Sequence, residues 1–367
     1  MTSPLTLASY RLLGSSGLRV SPLCLGTMTF AQPDWGMDRE TAQSVFDAYV
    51  SAGGNFIDTA NFYAQGKSEE LIGEFAQGRR DRLVIASKYT LNLDPTDPNG
   101  GGNHRKSMMR SVEASLKRLR TDYIDLFYLH MWDKTTPVEE VLRGLDDLVA
   151  QGKINYVGIS DTPAWQVARM ATMADLRGWA RPVALQIEYS LVERTVEREL
   201  VPMAAELGLG VMPFSPVAMG ILTGRYSRAD LEPAASHGDG RKGPLVAAGM
   251  VTEKKISVAE TVIEIAREMG AEPAQVAIAW LLTNPAVTSP IIGMRTLAQY
   301  ESNVGALNVA FSEAHLALLD EASRVEMGFP HDMLASPLRK AFIFGRTDVR
   351  LRQEGRRIPA LKENIPA

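Results

Sequence analysis

The sequence predicts an α/β protein built as a (β/α)8 barrel. Short β-branched apolar runs alternate with longer stretches of helical period, the alternation recurs eight times, and the apolar runs are apolar throughout. Strands apolar on both faces belong to a parallel sheet covered on both sides. Eight strand–helix units close naturally into a barrel, whereas an open doubly wound sheet more often holds fewer strands. A chain of 367 residues would accommodate two ordinary domains or one large barrel with extensions. No low-complexity linker divides it, so a single unit over 1–367 is expected, of which about 324–367 is a C-terminal extension.

The units follow in order. "YRLLGSSGLRVS" predicts an N-terminal hairpin turning at its Ser-Gly, and "PLCLG" a first strand followed by the helix "DRETAQSVFDAYVSAG", closed by Gly53 and Gly54. "NFID" pairs with "SEELIGEFAQ", "RLVIAS" with "HRKSMMRSVEASLKRL", and "DYIDLFYLH" with "PVEEVLRGLDDLVAQG". "INYVGIS" pairs with "PAWQVARMATMA", and "PVALQIEY" with "VERELVPMAAELG". "LGVMPFSP" precedes one long helical region from Val258 to Thr283, and "VTSPIIG" precedes "TLAQYESNVGAL". Two segments fall outside the rhythm. One is the long loop after the seventh strand, whose tip "SHGDGRKG" is expected to be mobile; the other is the tail from Arg324.

A hydrophobic share of 45% and a charged share of 22% are those of an ordinary globular protein, which excludes disordered and fibrous classes. A net charge of −4 leaves no broad basic field, so neither nucleic acid nor an anionic membrane is expected as a partner. Cys24 is the only cysteine, which excludes an internal disulfide and a cysteine-clustered metal site. The N-terminus lacks a basic stretch followed by an apolar one, and "AQVAIAWLL" is too short to cross about 30 Å of hydrocarbon. A cytoplasmic location is expected.

In such a barrel the active site lies at the C-terminal ends of the strands. Asp58 follows "NFI", Lys88 follows "VIAS", His130 follows "DLFYL", Ser160 follows "VGI" and Gln186 follows "VAL", with Tyr63 on the loop after the second strand. Singly, each has a bland reading as a helix cap, a solvated lysine or a structural histidine. Together they suit proton transfer by a phenol. An unperturbed tyrosine, with a pKa near ~10, is a sluggish acid, and a neighbouring ammonium lowers that value by stabilising phenolate. Tyr63 is then the acid, Lys88 its tuner, Asp58 the orienter of Lys88, and neutral His130 the group that holds a substrate carbonyl.

These residues in these settings resemble the aldo-keto reductase superfamily. "SGLRVSPLCLGTMTF", "NFIDTANFYAQGKSEELIGEF", "SLKRLRTDYIDLFYLHMWD", "VGISD", "FSPVAMGILTG" and "PIIGMRTLAQYESNVGAL" look like its landmarks in its order, from the hairpin to about residue 322. The resemblance implies a catalytic tetrad of Asp58, Tyr63, Lys88 and His130. It also implies extended binding of NADP(H) without a Rossmann motif, in keeping with the absence of G-x-G-x-x-G after the first strand. It implies cofactor contacts from Gly26, Thr27 and Met28, and a clamp on the nicotinamide carboxamide by Ser160, Asp161 and Gln186. Asp161 replaces the commoner Asn, and a carboxylate accepts from the carboxamide NH2 without donating to its oxygen.

The resemblance further implies that Phe214 stacks on the nicotinamide, a core phenylalanine being the alternative. Ser215, Pro216, Gly220, Leu222, Gly224 and Arg225 would form the pyrophosphate belt. Gly293, Met294, Arg295, Gln299 and Asn303 would form the adenosine site, with Arg295 suited to a 2′-phosphate by its planar donors or else a solvated surface residue. Ser302 stands where the family usually has Glu. Phe30, Trp35, Tyr89, Met131 and Trp132 follow strands, so they either line an apolar mouth for a small-molecule carbonyl substrate or pack among the loops. The expected activity is NADP-dependent reduction of aldehydes or ketones. A cofactor-binding regulatory protein on the same barrel, as in potassium-channel β-subunits, is the second reading. A metal-dependent hydrolase is disfavoured because His130 has no His-x-His partner. The apolar, then basic, tail would cover part of the mouth, join a homo-oligomer contact, or stay solvated.

Overall fold

The computed structural model describes residues 5–32, 34–231, 242–345 and 347. The expected hairpin is present as β1 (Arg11–Leu12) and β2 (Arg19–Val20), antiparallel with Arg11 opposite Val20. It plugs the N-terminal end of the barrel with the fully buried Leu13 and Val20. Gly14, at φ 54°, is required there, because a Cβ would lie 2.3 Å from the Val183 carbonyl oxygen and 2.6 Å from that of Gly208.

Eight parallel strands form the sheet: β3 (Cys24–Gly26), β4 (Phe56–Asp58), β5 (Val84–Tyr89), β6 (Ile124–Leu129), β7 (Ile154–Ser160), β8 (Pro182–Glu188), β9 (Gly210–Phe214) and β10 (Ile291–Ile292). They run in the order β10-β3-β4-β5-β6-β7-β8-β9. A parallel bridge between Val211 and Val287, with Thr288 N donating to Val211 O at 2.9 Å, brings the two ends of that order together. The result is a (β/α)8 barrel.

Because side chains alternate along a strand, each strand contributes to two cores. Phe56, Val84, Ala86, Leu126, Tyr128, Ala184 and Met212 fill the interior. Ile57, Ile85, Phe127, Leu129, Val157, Ile159 and Leu185 point outward beneath the helices. Both faces are dry, which is why the strands are apolar throughout. The same parity carries the inward column up to Asp58, Lys88, His130, Ser160, Gln186 and Phe214, one layer at the C-terminal rim.

The surrounding helices are α1 (Arg39–Ser51), α2 (Lys67–Phe75), α3 (Arg105–Leu119), α4 (Val138–Ala150), α5 (Ala164–Arg177), α6 (Leu200–Leu207), α7 (Lys242–Ala247), α8 (Glu253–Met269), α9 (Pro273–Leu282), α10 (Leu297–Val304) and α11 (Glu313–Ser323). The helical region expected over Val258–Thr283 is present as two helices, α8 and α9, and begins earlier, at Glu253. Gly270 closes α8 in a left-handed C-cap, and Pro273 opens α9 behind a capping box at Glu272 and Gln275. The extension continues as α12 (His331–Ala335) and α13 (Pro337–Phe344). Most of the loop tip expected to be mobile, and the last residues of the tail, lie outside the described residues. Among the described residues no helix is long and apolar enough to cross a membrane, and no cluster of His, Cys, Asp and Glu has the make-up of a metal site.

Candidate active site

At the rim, Lys88 Nζ is fully buried and donates to Asp58 Oδ2 at 2.5 Å, to Thr59 O at 2.9 Å and to Tyr63 Oη at 3.2 Å. Burial alone would strip the proton from this ammonium, but Asp58 and then Tyr63 outweigh it and raise its pKa. The other oxygen of Asp58, Oδ1, accepts from Gln186 Nε2 at 2.8 Å. His130 meets Tyr63 edge-on, with ring centroids 6.1 Å apart. Desolvation, reinforced by Lys88, lowers the His130 pKa to about 3, so the imidazole is neutral near pH 7.

One expectation is reversed. Lys88 does pull the Tyr63 pKa down, but burial pushes it up by more, aided by Asp58 and Asp161, and the net direction is upward. The phenol therefore rests protonated.

The loop that presents Tyr63 is held from below. Ala64 (φ 49°), Gln65 (φ 56°) and Gly66 (φ 89°) are consecutive left-handed residues, a conformation that persists in Ala and Gln only when the surroundings impose it. The surroundings are α2, whose Ser68 hydroxyl bonds Thr27 Oγ1 and Thr59 Oγ1 at 2.8 and 3.0 Å. Its fully buried Glu69 accepts from Ser87 Oγ at 2.5 Å and pairs with Arg118 at 2.6 Å. The sequence reading did not find this network. Its signal was the position of Ser68 and Glu69 on the same face of α2 as Ile72 and Phe75, where an outer helix should be apolar.

The cofactor-side residues divide. Ser160 Oγ is buried without a partner, and Asp161 beside it is left-handed at φ 36°. Desolvation in the crowded rim, with Glu188 adding to it and Lys88 opposing, raises the Asp161 carboxyl to about 6. Phe214 is half-buried at the end of β9. After it, Ser215, Ala218, Met219, Gly220 and Gly224 have positive φ, which folds the loop tightly on itself, with the N–H groups of Ala218, Gly220, Leu222 and Gly224 donating to carbonyls of the same loop. Arg225 is exposed and Arg295 half-exposed, so both guanidinium groups are open to a ligand. The unpartnered Ser160 hydroxyl fits a carboxamide, and the open guanidinium groups of Arg225 and Arg295 fit the phosphates of a nicotinamide dinucleotide.

Other assignments change. Thr27 donates to Asp58 O at 2.9 Å within the loop network, and its buried side chain does not face the mouth. Gly26 is needed for packing, since a Cβ would lie 2.7 Å from Ile291 Cγ2; Met28 is exposed. Pro216, Leu222 and Met294 have buried side chains, leaving only their backbone groups for a ligand. Gln299 Oε1 accepts from Arg295 N and Asn303 Nδ2 donates to Gly293 O at 3.1 Å, so both side chains shape the loop that carries Arg295.

Of the expected mouth aromatics, Tyr89 has the outward parity and stacks on Phe127 at 5.4 Å; Phe30 likewise belongs to the outer core. Both are fully buried and neither lines the mouth. Met131 is exposed, Trp35 is half-buried, and Trp132 packs partly on the core, its backbone N–H donating to Asp161 O. Two cavities, of about 620 and 570 Å³, lie along α5, the second touching Trp132; neither is lined by Asp58, Tyr63, Lys88 or His130.

The aldo/keto reductase family profile matches residues 22–324. The chain belongs to the aldo/keto reductase family. It is 40% identical to norsolorinic acid reductase stcV of Emericella nidulans over 92% of this chain and 87% of that one. It is 37% identical to an aryl-alcohol dehydrogenase [NADP(+)] of Phanerodontia chrysosporium, over 89% of each. To the uncharacterized oxidoreductase YrpG of Bacillus subtilis it is 36% identical, over 85% of this chain and 95% of that one. Membership makes the chain an oxidoreductase on a (β/α)8 barrel.

Proposed function

We propose that this aldo/keto reductase reversibly reduces aldehyde or ketone carbonyls, aryl carbonyls foremost, with NADPH as reductant and Tyr63 as proton donor. The observation that carries the reading is the single ammonium of Lys88 bonded at once to Asp58 Oδ2 and Tyr63 Oη, beside a neutral imidazole. Bound NADPH supplies the hydride.

The residues do the rest. His130 and the Tyr63 hydroxyl hold the carbonyl oxygen and polarise it. As charge develops on that oxygen the Tyr63 O–H bond breaks and its proton passes over, leaving a phenolate that Lys88 stabilises from 3.2 Å. The raised phenol pKa keeps the proton in place until that moment, and Asp58 keeps Lys88 cationic and aimed. Solvent then returns a proton to Tyr63.

Ser160 and Asp161 would hold the carboxamide, and Phe214 would cover the ring. The loop from Ser215 to Gly224, with the Arg225 side chain, would hold the pyrophosphate, and Arg295 would pair with the 2′-phosphate, favouring NADPH over NADH. The relative whose name specifies NADP(+) supports that preference, and its aryl-alcohol substrate supports an aromatic carbonyl. The test is NADPH oxidation against a panel of aryl and alkyl aldehydes and ketones. Turnover that Tyr63→Phe abolishes, with NADPH affinity retained, is the expected result. Tight NADPH binding with no turnover on any carbonyl would sink the reading and leave a cofactor-binding protein in its place.

A further inference from the structure

The Asp58 side chain is 4% exposed and both its oxygens are engaged, Oδ2 by Lys88 and Oδ1 by Gln186. Gln186 comes from β8, four strands round the eight-strand ring from β4, so this bond crosses the barrel interior. We infer that Gln186 is a positioning residue for the proton donor, acting through Asp58 and Lys88 on Tyr63; the inference rests on the proposed carbonyl reduction.

The physical reason lies in how Lys88 is shared. Its contact with Asp58 is 2.5 Å and its contact with Tyr63 is 3.2 Å, the longer and weaker of the two. An amide donor on Oδ1 disperses the Asp58 charge and pins the carboxylate plane from the opposite wall. Without it, an unpaired oxygen in a site closed to water draws the nearest cation toward itself. Lys88 is that cation, and what it gives up is the Tyr63 contact. The family resemblance assigns Gln186 to the nicotinamide carboxamide. Nε2 serves Asp58, with the buried Tyr128 phenol a second neighbour of the same amide, and Oε1 would serve the cofactor, so the two roles are compatible and separable.

The test uses Gln186→Met, of similar length without a donor, and Gln186→Glu, which can donate to Asp58 only while protonated. NADPH affinity, kcat against pH in both directions, and tyrosinate absorbance of the cofactor-free protein against a Tyr63→Phe control are measured for each. In Gln186→Met, kcat falls by about ten- to hundredfold, the limb over which alcohol oxidation rises as Tyr63 ionises moves to higher pH, and the Tyr63 titration in the cofactor-free protein moves the same way. In Gln186→Glu, activity survives on the acid side and is lost as the new carboxyl ionises, a limb absent from wild type. A pure cofactor clamp predicts otherwise, because a glutamate accepts from the carboxamide NH2 at every pH.

Weaker NADPH binding with superposable pH profiles and an unmoved Tyr63 titration would overturn the inference. Wild-type protein inert toward every carbonyl would overturn the proposed reaction instead. The cofactor-free titration would still decide whether Gln186 acts on Tyr63.

Discussion

At the scale of single residues, parity along the strands decides which side chains the site receives. Asp58, Lys88 and Gln186 were legible because each ends an apolar run with the inward parity. For Tyr89, which either lined the mouth or packed away from it, parity decides for packing: it is one residue past Lys88, which turns it outward onto Phe127. Asp161 raises a separate question, since a carboxylate cannot donate to a carboxamide oxygen. With its carboxyl raised to about 6, Asp161 is protonated over part of the ordinary pH range and can then donate. The sign follows. Below that pH the protonated carboxyl would support the proposed carboxamide contact; as pH rises through it, the donor is lost and a negative charge appears at the rim. NADPH affinity of wild type, divided by that of Asp161→Asn at each pH, should therefore fall severalfold between about pH 5 and about pH 7.5. The ratio is the proper readout, because the 2′-phosphate titrates in the same range in both proteins. A ratio constant across that range would show that the proton on Asp161 plays no part.

At the scale of elements, the strands and most helices were visible in their periodicity, but the devices that aim the loops were not. The break between α8 and α9 was written in Gly270 and Pro273, yet the apolar pattern ran through both. A second device joins the loops after β5 and β6. The Asp133 side chain accepts four hydrogen bonds, from Asn103 N, Thr135 N, Thr136 N and Thr136 Oγ1, while the Asn103 side chain answers by accepting from Asp133 N. Asn103 lies in the loop before α3, and Asp133 lies three residues after His130, so the pair holds the His130 loop against its neighbour. Burial pulls the Asp133 carboxyl up, but the hydrogen bonds win and lower it to about 2. Asp133→Ala should cost about 1–3 kcal/mol near neutrality. A depressed folded-state pKa means that this stability is fully present above the unfolded carboxylate value of about 4 and is lost as pH falls through the folded value. Denaturation of both proteins at several pH values checks it: the gap should close in acid, and a gap independent of pH would mean that the charge on Asp133 contributes nothing.

For the whole molecule, eight repeats and a hairpin were enough to name the barrel, because closure follows from counting units. The extension has no repeat to count, and its attachment depends on contacts between residues far apart in sequence. Arg194, on the loop after β8, pairs with Glu197 and Asp320 at 2.8 and 2.9 Å and donates to Ser323 Oγ at 2.8 Å, with Trp280 5.2 Å beneath its guanidinium. Together with the fully buried Leu319, this fastens α11 to the barrel wall. Beyond α11 the chain is tied by Lys254 to the Arg324 carbonyl, Arg198 to the Glu326 carbonyl and His331 to Glu199, all at the surface. Phe329 is 90% exposed and Phe342 71%, so α12 and α13 bury little apolar area against the body. The barrel's stability should therefore end with α11. A chain truncated after Met327 should keep its thermal midpoint within about 2–4 °C of the full chain, the shift expected from about 1 kcal/mol. Arg194→Ala, which leaves Glu197 and Asp320 without their shared cation and Ser323 without its donor, should lower the midpoint further than the truncation does. If the truncated chain melted as early as Arg194→Ala, the α12–α13 segment would have to be counted as part of the folded wall, with an apolar contact to the barrel that its exposure does not show.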